Sequence, residues 1–264
     1  YIITNQDTPT PWSNVIANKN FGTILTNNSC GFTYSYNSQM FKLTSWTNDI
    51  VVNDKSEGIL VNEKEVQVSI CRHGFGYSTF EQDGKDYNLT TTQFVAKEDS
   101  AKFYQNKITN ISNTKQKYKL TFWINPTLGP NEEKSSRYLL SEYHKEFNAI
   151  VIRNVYNMNF SGVSVFMSST LPIVDYSIDR IITKSITVEV ELDPMESKEF
   201  SFILGTGIGM NSVKELIDKY NNKNILTEYK EVVDYWDNTL NIIKVKTPDN
   251  SFNYMINGWY LYQT

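Results

Sequence analysis

Tyr77-Ser78-Thr79-Phe80-Glu81-Gln82-Asp83-Gly84-Lys85-Asp86-Tyr87-Asn88-Leu89-Thr90 is the stretch that decides the fold class. Apolar and polar residues alternate on both sides of an Asp-Gly step, the pattern of two half-buried strands closed by a tight turn. The same period of two recurs outward along the chain. Runs at 21–25 and 31–36 flank Thr26-Asn27-Asn28-Ser29, and 65–70 alternates in the same way. Further strands are expected at 117–124, 149–154, 162–168, 186–192 and 199–204. About a dozen strands with no amphipathic helix between them indicate antiparallel sheets and exclude βαβ units. A domain this long needs two large stacked sheets.

Beyond Gly205 the period changes. Ser212-Val213-Lys214-Glu215 reads as a capping box, with Val213, Leu216, Ile217 and Tyr220 on one helical face. Thr227 is expected to cap a second helix carrying Val232, Val233, Trp236, Leu240 and Ile243. After Thr247-Pro248-Asp249, a third helix begins with Phe252, Met255, Ile256 and Trp259. Its apolar end, Trp259-Tyr260-Leu261-Tyr262, calls for neighbours that the 264 residues do not supply. An α-helical domain is therefore expected to follow Thr264. Tyr1-Ile2-Ile3-Thr4 carries neither an initiator Met nor a signal pattern, so the start also reads as cut.

Composition narrows the function classes. Lys plus Arg number 25 against 29 Asp plus Glu, a net charge of -4, which argues against nucleic acid as a partner. No apolar run approaches a membrane span. Hydrophobic residues at 40% can build a sizeable core. Cys30 and Cys71 form no C-x-x-C pair and read as two reduced, buried thiols of a cytoplasmic protein, the alternative being a single disulfide between them. Sequons at Asn27, Asn88, Asn110 and Asn159 are expected by chance in a chain so rich in Asn, Ser and Thr.

Spacing alone yields no catalytic set. Gly205-Thr206-Gly207-Ile208-Gly209-Met210 lies between a strand and a helix, but Met210 and the lack of a βαβ unit speak against a nucleotide loop. It reads as a flexible exit from the last strand. His73 and His144 have no metal-ligand spacing to either cysteine, and His73 reads as a histidine fixing a turn. Asp49, Asp54, Glu132, Glu133 and Glu142 show no pattern beyond a solvated surface. The 14 Phe, 17 Tyr and five Trp could stack on sugars, though most belong to the core of so large a sandwich.

Several segments, in order, carry a family resemblance. They are Thr8-Pro9-Thr10-Pro11-Trp12-Ser13-Asn14-Val15-Ile16-Ala17-Asn18, Leu43-Thr44-Ser45-Trp46-Thr47-Asn48-Asp49 and Arg72-His73-Gly74-Phe75-Gly76-Tyr77-Ser78-Thr79-Phe80. Later come Phe202-Ile203-Leu204-Gly205, Trp236-Asp237, Val245-Lys246-Thr247-Pro248-Asp249 and Asn257-Gly258-Trp259-Tyr260-Leu261-Tyr262-Gln263. Together they resemble the N-terminal region of glycoside hydrolase family 94, formerly glycosyltransferase family 36. The first two look most like the β-1,2-oligoglucan phosphorylase and cyclic β-1,2-glucan synthase branch.

The resemblance implies a mainly β fold: a large two-sheet antiparallel β-supersandwich, then a helical linker and the truncated start of an (α/α)6 barrel. The corresponding boundaries are 1–208, 209–246 and 247–264. It also implies reversible, inverting phosphorolysis of β-glucosides, in which a barrel acid protonates the leaving oxygen while phosphate attacks from the opposite face. Inorganic phosphate is then a co-substrate, no cofactor is expected, and no catalytic residue is assigned within this chain. The implied partners are a β-glucan oligosaccharide, the C-terminal barrel and a second copy of the chain in a homodimer. A loop of the sandwich is expected to reach the acceptor side, which makes Asn131, Glu132, Lys134 and Arg137 the candidate substrate-binding residues, the alternative being an ordinary charged hairpin tip. The segment 169–185 is shorter than in family members. The alternative is a stand-alone carbohydrate-binding or scaffolding sandwich without catalysis.

Overall fold

The computed structural model describes residues 1–47, 55–65, 67–179, 183–220 and 222–263. Asn48, Asp49, Asp54, Val66 and Thr264 of the segments quoted above lie outside them, as do residues 180–182 of the short segment.

Among the described residues the chain is mainly β, with antiparallel strands in three sheets. The largest has nine strands. Edge to edge they are Ile2–Ile3, Val68–Gly74, Tyr77–Asp83, Tyr87–Val95, Ala101–Asn110, Ser197–Ile208, Val163–Ser169, Ala149–Asn154 and Leu139–His144. A second sheet runs Asp175–Ser177, Lys184–Leu192, Gln116–Ile124, Glu57–Val61 and Lys64–Glu65. The third runs Pro126–Gly129, Lys42–Thr44, Gly31–Ser35, Phe21–Thr26 and Ser13–Ala17. The hairpin read first is present, with Asp83 opposite Asn88 and Tyr77 opposite Phe94.

Period two sorts the side chains of the large sheet into two cores. Tyr104, Val165, Met167, Phe202 and Leu204 face the two five-stranded sheets. There the Phe122 ring lies 4.5 Å from Tyr104 and 5.4 Å from Phe202. Phe103, Ala149, Val151, Phe166 and Ile203 face the other way, against Val213, Tyr220, Ile225 and Val232 of the helices Gly209–Lys219 and Asn222–Leu240. The expected two-layer sandwich is therefore present, its second layer divided into two five-stranded sheets. A helical layer covers the far face of the large sheet.

Several local expectations need correction. The run 65–70 is not one strand, because Glu65 ends a strand of the second sheet and Val68 begins one of the large sheet. The glycine-rich stretch is no flexible exit. Gly205 to Ile208 belong to the strand Ser197–Ile208, and a Cβ on Gly205 would lie 2.6 Å from the Phe166 ring. The strand passes straight into a helix at Gly209, whose φ is +73°, so Ser212 sits inside the first helix and does not cap it. Thr227 likewise lies inside the second helix, its hydroxyl donating to the Lys223 carbonyl at 3.1 Å. Asp249 does cap the third, its carboxylate accepting from the Ser251 and Phe252 amides at 2.8 and 3.3 Å. Phe252, Trp259 and Tyr260 on that last segment remain exposed.

All three sheets meet at a buried ion pair. Lys102 of the large sheet contacts Glu57 of the second, and both side chains are essentially excluded from solvent. Glu57 also accepts from Thr33 and Thr44 at 2.8 and 3.1 Å, while Lys102 donates to Thr23 at 3.0 Å. Burial lowers the Lys102 pKa, and the carboxylate opposes that shift.

Candidate functional site

Two of the segments that carried the family resemblance, 8–18 and 72–80, meet in a buried hub. His73 and Ser78 are opposite one another across neighbouring strands. The His73 Nδ1 lies 2.8 Å from the Ser78 hydroxyl and its Nε2 lies 3.1 Å from the Trp12 carbonyl. A carbonyl only accepts, so Nε2 carries the proton and Nδ1 accepts from Ser78. Asn14 completes the chain, donating to Ser78 Oγ at 3.0 Å and to the Gly74 and Tyr77 carbonyls at 2.9 Å each. Burial holds the His73 pKa below its ordinary value, and the bond to Trp12 partly offsets this.

Gly76 extends the hub to the helix Asn222–Leu240. Its φ is +80°, and a Cβ there would lie 2.4 Å from the Trp236 ring, so glycine lets the second helix close onto the turn. Leu43 and Thr44 are fully buried, and Trp46 stacks on Phe32 at 5.1 Å. Asn257 exchanges two hydrogen bonds with the Val245 backbone, at 2.9 and 2.7 Å. Cys71 beside His73 is a buried free thiol whose pKa burial pushes up to about 12. With its polar groups tied to one another and to the backbone, the hub holds an N-terminal strap and the helix Asn222–Leu240 onto the sheet. His73 fixes that turn, as its sequence setting indicated.

A groove of about 610 Å³ lies by the opposite edge of the large sheet. Its wall is the turn after the strand Pro126–Gly129, where Asn131 caps a four-residue helix, Glu132–Ser135, by accepting from the Lys134 amide at 3.3 Å. Lys134 and Arg137 both line the groove and are exposed. Asn131 and Glu132 stand in the same turn but outside the lining, where Glu133 takes part instead. Of the carboxylates considered earlier, Glu142 is occupied with Arg153 at 3.2 Å.

The facing wall was not legible in the sequence. Asn154 ends the strand Ala149–Asn154, and with Tyr156, Asn157, Met158 and Asn159 just beyond it lines the groove together with Tyr138. Pairing of Leu139 with Asn154 brings Tyr138 beside Tyr156. Two tyrosines placed just outside the ends of paired strands were the available signal. The groove offers two cations, one carboxylate and an aromatic surface, a set suited to hydrogen bonding and stacking.

Comparison with known proteins sets this geometry in a family. Residues 1–182 match the supersandwich domain of glycosyl hydrolase 94. The chain is 24% identical to the cyclic β-(1,2)-glucan synthase NdvB of Rhizobium meliloti (strain 1021), over 97% of this chain and 11% of the synthase. It is 22% identical to the N,N′-diacetylchitobiose phosphorylase of Vibrio proteolyticus, over all of this chain and 39% of that enzyme. The chain thus spans well under half the length of these relatives. A bacterial glucoamylase complexed with acarbose shares the fold with a TM-score of 0.55 at 13% identity, over 99% of this chain and 42% of the glucoamylase. A galactose mutarotase related enzyme of Lactobacillus acidophilus does so with a TM-score of 0.51 at 8% identity, over 76% of this chain and 99% of that one. With the family match covering more than half of its length on a three-sheet sandwich backed by helices, this chain belongs to glycosyl hydrolase family 94 and carries that family's supersandwich domain.

Proposed function

We propose that the chain is the sandwich and linker portion of an inverting glycoside phosphorylase acting on β-glucosides, with β-1,2-glucooligosaccharides as the preferred class. The observation that carries this is similarity, along essentially the whole chain, to a β-(1,2)-glucan synthase and to a chitobiose phosphorylase. In this reading residues 1–208 form the sandwich, 209–246 the linker, and 247–264 the first helix of a catalytic barrel. The barrel supplies the general acid and binds inorganic phosphate, whose attack on the anomeric carbon releases α-glucose 1-phosphate. No step falls to a residue of this chain. Its part is to shape the acceptor side through Lys134 and Arg137 in the groove, with Asn131 and Glu132 in the turn that carries them, across the interface of a cytoplasmic homodimer. Support for a covering domain comes from the exposed Phe252, Trp259 and Tyr260 on the last helical segment.

A second reading keeps the same groove and dispenses with catalysis: a carbohydrate-binding sandwich standing alone. It is supported by the groove being lined by sandwich residues throughout. One experiment separates the two. The full-length gene product is given inorganic phosphate and β-1,2-glucooligosaccharides, with cellobiose and laminaribiose in competition, and glucose 1-phosphate is measured. Release of glucose 1-phosphate, fastest from the β-1,2-linked substrate, is the expected result. A gene product of about this chain's size that binds glucans without releasing the sugar phosphate would overturn the phosphorylase reading.

A further inference from the structure

Surface turns ordinarily carry small or polar residues, yet the turn after Ala149–Asn154 displays Val155, Tyr156 and Met158, which are 62%, 69% and 84% exposed. Tyr156 is not a loose side chain. Its ring lies parallel to that of Tyr138, with centroids 4.6 Å apart and planes 17° from each other. Tyr138 backs one face of Tyr156, and both rings line the groove.

The mounting of this pair is rigid. The Val155 amide donates to the Tyr138 carbonyl at 3.3 Å, and the Tyr156 amide to the Asn154 side chain at 3.0 Å. The side-chain amides of Asn154 and Asn157 both donate to the carbonyl of Leu128, at 3.0 and 3.2 Å. Leu128 is itself fully buried, which fixes the turn to the sandwich. At the far end of the turn, Phe160 stacks on the buried Phe41 at 4.5 Å. The backbone of the turn is therefore held before any ligand arrives and Tyr138 offers the Tyr156 ring a stacking partner, which lowers the conformational entropy cost of binding.

A pyranose ring has a face of C–H groups bordered by hydroxyls, so it wants a flat apolar surface ringed by donors and acceptors. The groove offers both. Tyr156 supplies the surface, Arg137 and Lys134 the donors and Glu133 an acceptor, within a volume in the usual range for small-molecule sites. One carboxylate against two cations suits a neutral ligand better than a polyanion, which needs clustered positive charge. We propose that Tyr156, backed by Tyr138, is the stacking platform for one sugar ring of a neutral oligosaccharide held in this groove. The proposal rests on the reading that the groove serves a glucan, and it moves the recognition surface from the Asn131–Arg137 turn to the facing wall.

The test uses the full-length protein with Tyr156→Ala and Tyr156→Phe, assayed in the synthetic direction from α-glucose 1-phosphate with β-1,2-glucooligosaccharide acceptors. The expected result for Tyr156→Ala is a rise in acceptor KM of about tenfold at nearly unchanged kcat and unchanged Tm. Tyr156→Phe keeps the ring and stays within about twofold of the parent. Unchanged acceptor KM in Tyr156→Ala, with Arg137→Ala still raising it, would overturn the platform and leave the phosphorylase reading standing. Should no phosphoryl chemistry be found, calorimetric titration of the same oligosaccharides reads the platform independently. About tenfold weaker binding by Tyr156→Ala then sustains it, and equal binding overturns it. Loss of self-association in Tyr156→Ala, with sugar affinity intact, would assign the patch to contact between copies and likewise overturn the proposal.

Discussion

The hub around His73 and the groove beside Tyr156 stand toward opposite edges of the nine-stranded sheet and use polar side chains in opposite ways. In the hub, Asn14, His73 and Ser78 spend their hydrogen bonds on one another and on the backbone. In the groove, Lys134 and Arg137 project into solvent beside an exposed aromatic pair. The hub turns its polar groups inward and the groove leaves its own on surface that a ligand can reach, although the family match over residues 1–182 includes both.

Substitutions can break this contrast. The largest effect belongs to the buried pair shared by the three sheets: Lys102→Met or Glu57→Leu alone should destabilise the chain by about 3–5 kcal/mol, by stranding one charge. The double variant should recover most of that loss in urea unfolding. Next comes Asn14→Leu, which removes three bonds from the hub and should cost about 2–4 kcal/mol, with acceptor affinity unchanged once folded. On the groove side the expectation is reversed. Arg137→Ala should weaken acceptor binding by about 1 kcal/mol, seen as raised KM, while unfolding stays within about 0.5 kcal/mol of the parent. A variant that moved both readouts together, on either side, would break the comparison.

Two pH effects sharpen it. The folded chain holds the His73 pKa below the ordinary 6.5, so the unfolded chain binds the proton more readily. Stability should be full above pH 6.5 and fall as pH drops from there toward the folded pKa; His73→Gln should flatten the slope in urea midpoints. Asp99 is smaller in effect. Burial raises its pKa, but hydrogen bonds from Lys219 and Tyr220 and the Lys219 charge more than offset this and leave it below 3.8. Its contribution is present above pH 3.8 and lost as pH falls through the folded value. For so exposed a contact, Asp99→Asn should cost less than about 1 kcal/mol, measured at pH 7.

The fold was legible where apolar and polar residues alternate cleanly. Tyr77 to Thr90 gave a hairpin for that reason, although the chain turns at Lys85-Asp86, just beyond the Asp-Gly step, and pairs Asp83 with Asn88. The central strand Ala101–Asn110 escaped because its sandwich-facing positions include Lys102, Asn106 and Asn110, all fully buried. A polar interior erases the pattern that marks a strand. Helix starts were misread at Ser212 and Thr227, since tertiary packing against the sheet begins those helices earlier than their local capping residues suggest. For the groove, family resemblance pointed to Lys134 and Arg137, while Tyr138 and Tyr156 met only through strand register. No spacing along the chain encodes that meeting.

The strand Ser197–Ile208 is flanked by registered partners on both sides and runs without a loop into the helix Gly209–Lys219. Tension applied along it from its C-terminal end would load both ladders in shear, every hydrogen bond sharing the force at once, rather than peeling them singly. The turn that mounts Tyr156 joins Ala149–Asn154 to Val163–Ser169, the direct ladder partner of this strand, so a single row of backbone hydrogen bonds lies between the loaded strand and the groove wall.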